Sequence, residues 1–386
     1  SFPPDDAFLV RKLRDSGAII LAKLNMSEFA SGDALSSLGG ITRNPHDPTR
    51  SPSGSSGGTG AAIAAGYAPI GLGTDTGGAV RGPASANGIV GLKPTHGLLS
   101  RDGIVPLALS FDTAGPMARH VYDIAAALNV MVGVDLTDPA TEKSKGKFEH
   151  DYTQFLKNDA LNGARIGIAR QFLGHDPDVD WIVEASLGAM QNAGAKIVDI
   201  EIPAWLLRTR TDLYWTVRQR EFKFQIEEYL QTLGPGFPKN ISDLVRRSGN
   251  LVAPSKEGFI PNPSRWNLLK REENSGSLED YDYLAVHNHG LPLTRAIISG
   301  ILVKQRLDAI VYPTSPRRPT RSDTDPPPAS ASGSSALVAS LMTSPTNLAN
   351  LTGFPDLIVP AGFTSGGLPV TISFLGPAFS EPRLLA

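Results

Sequence analysis

A run of small residues between positions 50 and 95 constrains this chain most. Glycine, alanine, serine and threonine dominate it, and it contains two glycine-rich turns, at 54–58 and 73–78. Glycine lets a backbone approach another backbone or a ligand closely, so such turns favour a site built from main-chain N–H groups. Between them, residues 59–66 are small and apolar enough to form a buried helix, and a helix N-terminus attracts anions.

Three other kinds of structure contain turns like these, and the sequence argues against each. A phosphate-binding P-loop needs Lys and Ser or Thr after its last glycine, whereas Gly58 is followed by Thr59 and Gly60. The dinucleotide fingerprint, Gly-x-Gly-x-x-Gly between a strand and a helix, is absent here. A ligand-free crossing of close-packed helices explains one turn, but not two turns together with Asp75 and Arg81 between apolar residues.

The motifs, taken together, resemble the signature of the amidase signature family, which includes fatty acid amide hydrolases, peptide amidases and the amidotransferase subunit that acts on glutamyl-tRNA. The resemblance is densest at Asn44-Pro45, 51–58, 71–78, Arg81, Pro83-Ala84, 88–95, Asp112 and Gly115-Pro116, and weaker blocks such as 347–355 continue toward the C-terminus. It implies an α/β fold in which helices cover both faces of a central, mixed, twisted β-sheet. It also implies that residues 1–386 form a single domain.

The resemblance further implies hydrolysis of a carboxylic amide by a Ser–cis-Ser–Lys triad through an acyl-enzyme. Ser55 matches the relay serine, whose preceding peptide bond is cis in the family. The nucleophile position lies 24 residues later, at residue 79. Main-chain N–H groups of Thr76, Gly77, Gly78 and residue 79 would form the oxyanion hole. Ser56 is the weaker candidate for the relay because the 24-residue spacing selects its neighbour.

Residue 79 is alanine, and this is the first departure from the family pattern. A methyl group cannot attack a carbonyl, so the chain as written is expected to be inactive. Either an engineered replacement of serine or a natural non-catalytic amide-binding protein would explain Ala79. The intact Ser55, which has no evident use without a nucleophile, favours engineering. An amidotransferase A-type subunit, working with partner chains, is the third interpretation.

The second departure concerns the base, which in the family is a lysine on a strand well before the relay serine. Lys23 matches a later family block and is interpreted as structural, while Lys12 is expected to be a solvated charge on a helix face. The catalytic lysine is therefore expected to lie outside this chain, in a preceding segment. Asp75 and Arg81 are predicted to form a buried pair that braces the catalytic turn, and Asp112 to brace a loop.

Charge and composition restrict the partners. A formal charge of −2 and a pI of about 6.4 provide no basic field for nucleic acid, and the absence of cysteine excludes disulfides and thiolate chemistry. No apolar run reaches the length of a transmembrane helix. We expect a soluble protein, with the cytoplasm favoured but the compartment open, that acts on a small-molecule amide. No cofactor or metal site is predicted; His287 and His289 are too isolated to form one, and a homodimer is left open.

Hydrophobic patterning predicts the remaining elements. Helices are expected at 5–16 (capped by Asp5 or Asp6), 121–132, 179–192 and 337–351, and strands at 18–21, 104–109, 165–169, 196–202, 308–313, 357–360 and 370–374. Residues 203–305 are polar and helical with scattered aromatic residues, and the resemblance assigns them to the substrate channel. Residues 314–335 are a Pro/Ser/Arg-rich, low-complexity loop.

Overall fold

An eight-stranded mixed sheet forms the centre of the protein in a computed structural model, which describes residues 3, 5–249, 262–322 and 344–386. The strands are β1 Leu35–Ser36, β2 Gly40–Ile41, β3 Ile70–Asp75, β4 Val90–Lys93, β5 Thr113–Ala118, β6 Arg165–Ile168, β7 Lys196–Asp199, β8 Ala309–Pro313, β9 Asp356–Phe363 and β10 Pro369–Leu375. The strand order in the large sheet is β3-β5-β4-β9-β10-β8-β6-β7, and a small hairpin of β1 and β2 lies apart from it.

Twelve α-helices occur in the described residues. They are α1 Phe8–Asp15, α2 Gly57–Ala64, α3 Arg81–Ala86, α4 Val121–Met131, α5 Pro177–Asn192, α6 Ala204–Gln231, α7 Ile241–Ser248, α8 Pro263–Glu273, α9 Tyr281–Ala285, α10 Leu291–Gln305, α11 Asn347–Thr352 and α12 Glu381–Leu385. The polar region predicted to be helical, 203–305, contains α6 to α10. None of the helices in the described ranges is both long and apolar enough to cross a bilayer.

Helices cover both faces of the sheet, as predicted. Successive side chains of a strand point to opposite faces. On β9, Leu357 packs with Ile124 and Leu128 of α4, whereas the next residue, Ile358, packs with Ile63 of α2. The sheet is also mixed, as predicted, because β6 pairs in parallel with β7 and β8 while the other neighbouring pairs are antiparallel.

The register of the sheet brings the signature residues to one edge of the core. β3 pairs antiparallel with β5 from Ile70–Ala118 to Asp75–Thr113, so Asp75 lies at the end of its strand, where the second glycine turn begins. β4 pairs with β9 so that Lys93 lies opposite Asp356. Two ionisable residues that are distant in sequence thereby enter the interior next to each other.

Three local predictions are wrong. Residues 18–21 are not a buried strand: they have no regular structure, and Ile19 is 90% exposed. Residues 104–109 are not a strand, because the N–H groups of Leu107 and Ala108 bond to the Asp112 carboxylate instead of a neighbouring strand. Helix α1 is preceded by Ala7 and not capped by Asp5 or Asp6.

Two further predictions fall largely outside the described residues. The low-complexity loop, 314–335, is described only as far as residue 322. The helix predicted at 337–351 is described from residue 344, and α11 covers Asn347–Thr352.

Candidate active site

Ser55 lies in the first glycine turn with its hydroxyl buried and unpartnered. The Gly54–Ser55 peptide bond is cis. Ser55 is 1% exposed, and its Oγ has no hydrogen-bond partner among the described residues. A buried hydroxyl without a hydrogen-bond partner needs an explanation, and a catalytic role is one such explanation. The turn packs on a neighbouring loop: Ser27 N donates to Ser55 O at 3.1 Å, and Gly54 lies against the backbone of Gly32.

Ser56 is structurally committed. Its Oγ donates to Thr74 O at 3.3 Å and accepts from Thr74 N at 3.2 Å, which ties the turn to β3. Its main-chain N–H donates to Ala79 O at 3.3 Å. This bond joins the first glycine turn to the second, so the predicted relay and nucleophile positions belong to adjacent segments of backbone.

In the second glycine turn, the main-chain N–H groups on both sides of Gly78 are free, whereas that of Gly78 is engaged. The N–H groups of Thr76, Gly77 and Ala79 make no hydrogen bond within the described residues, whereas Gly78 N donates to Asp75 Oδ1 at 2.9 Å. Gly78 has φ of +130°, which disfavours any residue with a Cβ. Of the four N–H groups assigned to the oxyanion hole by resemblance, three are therefore unengaged in this structure.

A buried network of charged residues stabilises this turn. Arg81 is fully buried and donates to Asp75 through Nε (3.0 Å) and Nη2 (2.9 Å), to Asp356 through Nη1 (2.8 Å), and to Asn350 Oδ1 at 2.6 Å. Burial opposes ionisation of Asp75, but the charge and hydrogen bonds of Arg81 outweigh it and hold the pKa of that carboxyl well below its usual range. The guanidinium itself stays protonated, because its two carboxylate partners raise its pKa despite burial.

Asp112 also contacts the turn, through a hydrogen bond with Thr76. Its carboxylate accepts from Thr76 Oγ1 at 2.5 Å and from the N–H groups of Leu107 and Ala108. Burial raises its pKa. A narrow cavity lies alongside, lined by Ala30, Thr74, Thr76, Arg101, Ile104, Val105, Leu107, Leu109, Asp112 and Thr113.

The lysines of the described residues do not supply a partner to the Ser55 hydroxyl. Lys23 is exposed. Lys12, predicted to be a solvated charge, is only partly solvated, because its Nζ bonds to Val132 O and burial lowers its pKa. Lys93, which the sequence did not single out, is fully buried and burial lowers its pKa to about 7, but its Nζ donates to the carbonyls of Pro94 and Phe354.

The residues that complete the site were missed because they come from the far end of the chain. Thr346, Asn350 and Asp356 contact the turn from more than 260 positions away. The one sequence signal for them was the family-like block at 347–355, which includes Asn350.

Comparison with known proteins places this geometry in a family. The family model described as Amidase matches residues 1–385, so the chain belongs to the amidase family, whose members hydrolyse amides. The A-type subunit of glutamyl-tRNA(Gln) amidotransferase from Neisseria meningitidis is 34% identical over 386 residues, covering 99% of this chain and 76% of that protein.

Two solved structures are similar throughout the chain. Peptide amidase from Stenotrophomonas maltophilia has a TM-score of 0.82 at 35% identity, covering 100% of this chain and 75% of its own. The A-type subunit of glutamyl-tRNA(Gln) amidotransferase from Thermotoga maritima has a TM-score of 0.72 at 28% identity, and the match covers 99% of this chain and 75% of that subunit. The fold and the amide-hydrolase class predicted from the sequence are thus confirmed.

Proposed function

We propose that the two glycine turns form the active site of a serine amidase, and that this chain, with Ala79 at the nucleophile position, binds its carboxylic amide substrate without cleaving it. Ser55 is the proposed relay, and the N–H groups of Thr76, Gly77 and Ala79 are the proposed oxyanion hole. The single observation that supports this most is the buried, unpartnered Ser55 hydroxyl on a turn hydrogen-bonded to residue 79.

The chemistry follows from placing a serine at position 79. Its Oγ would attack the amide carbonyl carbon while its proton passes through Ser55 to an amine base. The carbonyl oxygen would become the oxyanion and accept hydrogen bonds from the free main-chain N–H groups. Loss of one such donor typically lowers the rate on the order of 10²–10³-fold. The protonated base would return its proton through Ser55 to the leaving nitrogen, so that the C–N bond breaks and ammonia or an amine departs. The acyl-enzyme that remains would be hydrolysed by water to the acid.

The base is proposed to be a lysine that the described residues do not supply. A lysine can take a proton from serine at neutral pH only when burial lowers its pKa. The family resemblance assigns this role to a lysine before Ser55. A small primary amine added to the solution is the simplest substitute for it.

A stand-alone amidase is preferred to an amidotransferase component. The structure fits peptide amidase with a TM-score of 0.82 and the Thermotoga amidotransferase protein with 0.72, both over nearly the whole chain. A peptide with a C-terminal amide is therefore the proposed substrate, and α6 to α10 are proposed to shape the channel that admits it.

The test combines binding and turnover. The chain as it stands is titrated with a C-terminally amidated dipeptide and with the corresponding acid, and Ala79→Ser is assayed for ammonia release with and without millimolar propylamine. We expect the chain to bind the amide intact, and Ala79→Ser to release ammonia and to acquire an acyl group on the peptide containing residue 79. Ala79→Ser combined with Ser55→Ala is the matched control, which should lose turnover.

Each other outcome selects a different function. Binding of the amide, with no acylation of Ala79→Ser at any amine concentration, would support a natural binding protein. Ammonia release from glutamine that appears only with partner chains would support the amidotransferase interpretation. No binding and no turnover would refute an amide site at these turns.

A further inference from the structure

Three successive backbone carbonyls, those of Gly77, Gly78 and Ala79, accept hydrogen bonds, whereas the N–H groups of Gly77 and Ala79 are unengaged among the described residues. Thr346 Oγ1 donates to Gly77 O at 2.9 Å, Gly82 N to Gly78 O at 2.6 Å, and Ser56 N to Ala79 O at 3.3 Å. On the peptide unit that joins Gly77 to Gly78, the N–H is also used, because it donates to Asp75 Oδ1. This unit is therefore fixed at both ends.

A fixed central peptide unit restricts its two neighbours, because adjacent peptide planes share a Cα and differ only in two dihedral angles. The neighbouring units carry the Gly77 and Ala79 N–H groups, which are unengaged among the described residues. Asp75 holds the N–H end with a carboxylate that belongs to the buried ion network. Among the described residues, the carbonyl end is held by one neutral side chain, that of Thr346.

Thr346 is itself held firmly. It is 5% exposed and immediately precedes α11. Its carbonyl accepts from Arg81 Nη1 at 2.6 Å, and its hydroxyl lies 3.0 Å from Ser344 Oγ. A Cβ added at Gly78 would lie 2.6 Å from Thr346 Oγ1, so the side chain sits directly against the turn.

Helix α6 also packs against this peptide unit, through Tyr214. The Tyr214 hydroxyl would be 2.7 Å from a Cβ at Gly77, and its ring stacks on Phe111 with centroids 5.4 Å apart. One helical turn earlier, Arg210 donates to Ser344 O and to Asn347 Oδ1, both at 3.2 Å. The segment that contains Thr346 and the helix that contains Tyr214 are thus linked to each other, and both contact the glycine turn.

We propose that Thr346 is a positioning residue for the oxyanion hole: its hydroxyl holds the Gly77 carbonyl so that the Gly77 and Ala79 N–H groups remain free to receive the substrate carbonyl. This inference rests on the proposed function for its catalytic consequence, but its structural part does not. Thr346 itself takes no part in bond making. Its contribution is the orientation of the turn.

A direct spectroscopic test uses the chain as it exists. The sequence contains four Gly–Gly pairs, at 39–40, 57–58, 77–78 and 366–367. Labelling glycine with ¹³C at the carbonyl and ¹⁵N at the amide therefore gives four carbonyl–amide correlations, one of which is the Gly77–Gly78 unit. We expect Thr346→Val to shift that correlation alone, and Thr346→Ser, which keeps the hydroxyl, to restore it.

The matched control is Thr294→Val. Thr294 is buried like Thr346, and its Oγ1 also donates to a main-chain carbonyl, that of Gly290 at 2.9 Å, but within α10. This variant should lose a similar amount of thermal stability and leave the 77–78 correlation in place. If Thr346→Val leaves the correlation unchanged, or if Thr294→Val moves it equally, the proposed role of Thr346 is refuted, whatever the chain binds.

The catalytic consequence is tested in the Ala79→Ser protein. Misplacing the oxyanion donors should lower kcat of Thr346→Val on the order of 10- to 10²-fold with little change in KM, because these donors act mainly in the transition state. Thr346→Ser should recover most of kcat. If the Ala79→Ser protein is active and adding Thr346→Val leaves its kcat unchanged, the inference is overturned and the proposed function stands. If Ala79→Ser is inactive, the labelled spectra alone decide the role of Thr346.

Discussion

Replacing Arg81 by methionine should be one of the most destabilising single substitutions in this protein. Methionine retains much of the aliphatic stem and removes the guanidinium, which makes five side-chain hydrogen bonds: two to Asp75 and one each to Asp356, Asn350 and the Thr346 carbonyl. The arginine and both carboxylates are fully buried. The variant therefore leaves two acidic groups in the interior without the cation that bonds to both of them.

The expected loss follows from that burial. Breaking a buried ion pair by removing one partner costs about 3–5 kcal/mol, because the remaining charge is uncompensated. Arg170 provides the matched control, since it also bonds to two carboxylates, Glu184 and Asp199, but its side chain is 43% exposed. Exposed pairs of this kind contribute about 0–1 kcal/mol.

Urea unfolding followed by tryptophan fluorescence would measure both variants. We expect Arg81→Met to lower the free energy of unfolding by about 3–5 kcal/mol and Arg170→Met by less than about 1 kcal/mol. Should Arg81→Met not fold, Asp356→Asn offers a milder change, because it keeps the bonding geometry and removes one charge. Equal losses for Arg81→Met and Arg170→Met would show that the buried network does not stabilise the fold.

Two further predictions concern the serine pair and the buried lysine. Ser56→Ala should lower the free energy of unfolding by about 1 kcal/mol, because its hydrogen bonds to Thr74 are lost. Ser55→Ala should change it by less than about 0.5 kcal/mol, because the Ser55 hydroxyl has no partner among the described residues. Calorimetric melting of both variants measures the two losses, and equal losses would contradict this prediction. Burial lowers the pKa of Lys93 from 10.5 to about 7, so between these values the unfolded chain holds a proton that the folded chain has lost, and stability rises with pH by up to about 1.4 kcal/mol per unit. Urea unfolding at pH 7.5, 8.5 and 9.5 should show this rise relative to Lys93→Met, and parallel pH profiles would argue against a neutral amine.

Much of the site could be predicted from one stretch of sequence because it is built locally. The two glycine turns supply Ser55, residue 79 and the main-chain donors within 25 consecutive positions. Their glycines, and the spacing between the turns, were sufficient to predict a site made of backbone N–H groups. Patterning also identified five of the eight strands of the sheet, β6 to β10, but not β3, β4 and β5, whose apolar residues are interrupted by glycine.

The remainder depends on contacts that no local pattern encodes. Nothing around Thr346 or Asp356 indicates that each meets Arg81, because that meeting is decided by strand order in the sheet. Apolar composition also predicted a buried strand at 18–21, but composition does not specify a neighbour, and these residues are exposed. The error at 104–109 has a different cause, because the Asp112 carboxylate competes for N–H groups that a strand would need.

The most direct measurement of the central claim is a crystal structure of this chain soaked with a C-terminally amidated dipeptide. We predict that the intact amide lies over Ala79, with its carbonyl oxygen within hydrogen-bonding distance of the Gly77 and Ala79 N–H groups and its carbonyl carbon facing the Ala79 methyl. Occupancy at another place on the protein, or a carbonyl turned away from these two donors, would contradict it.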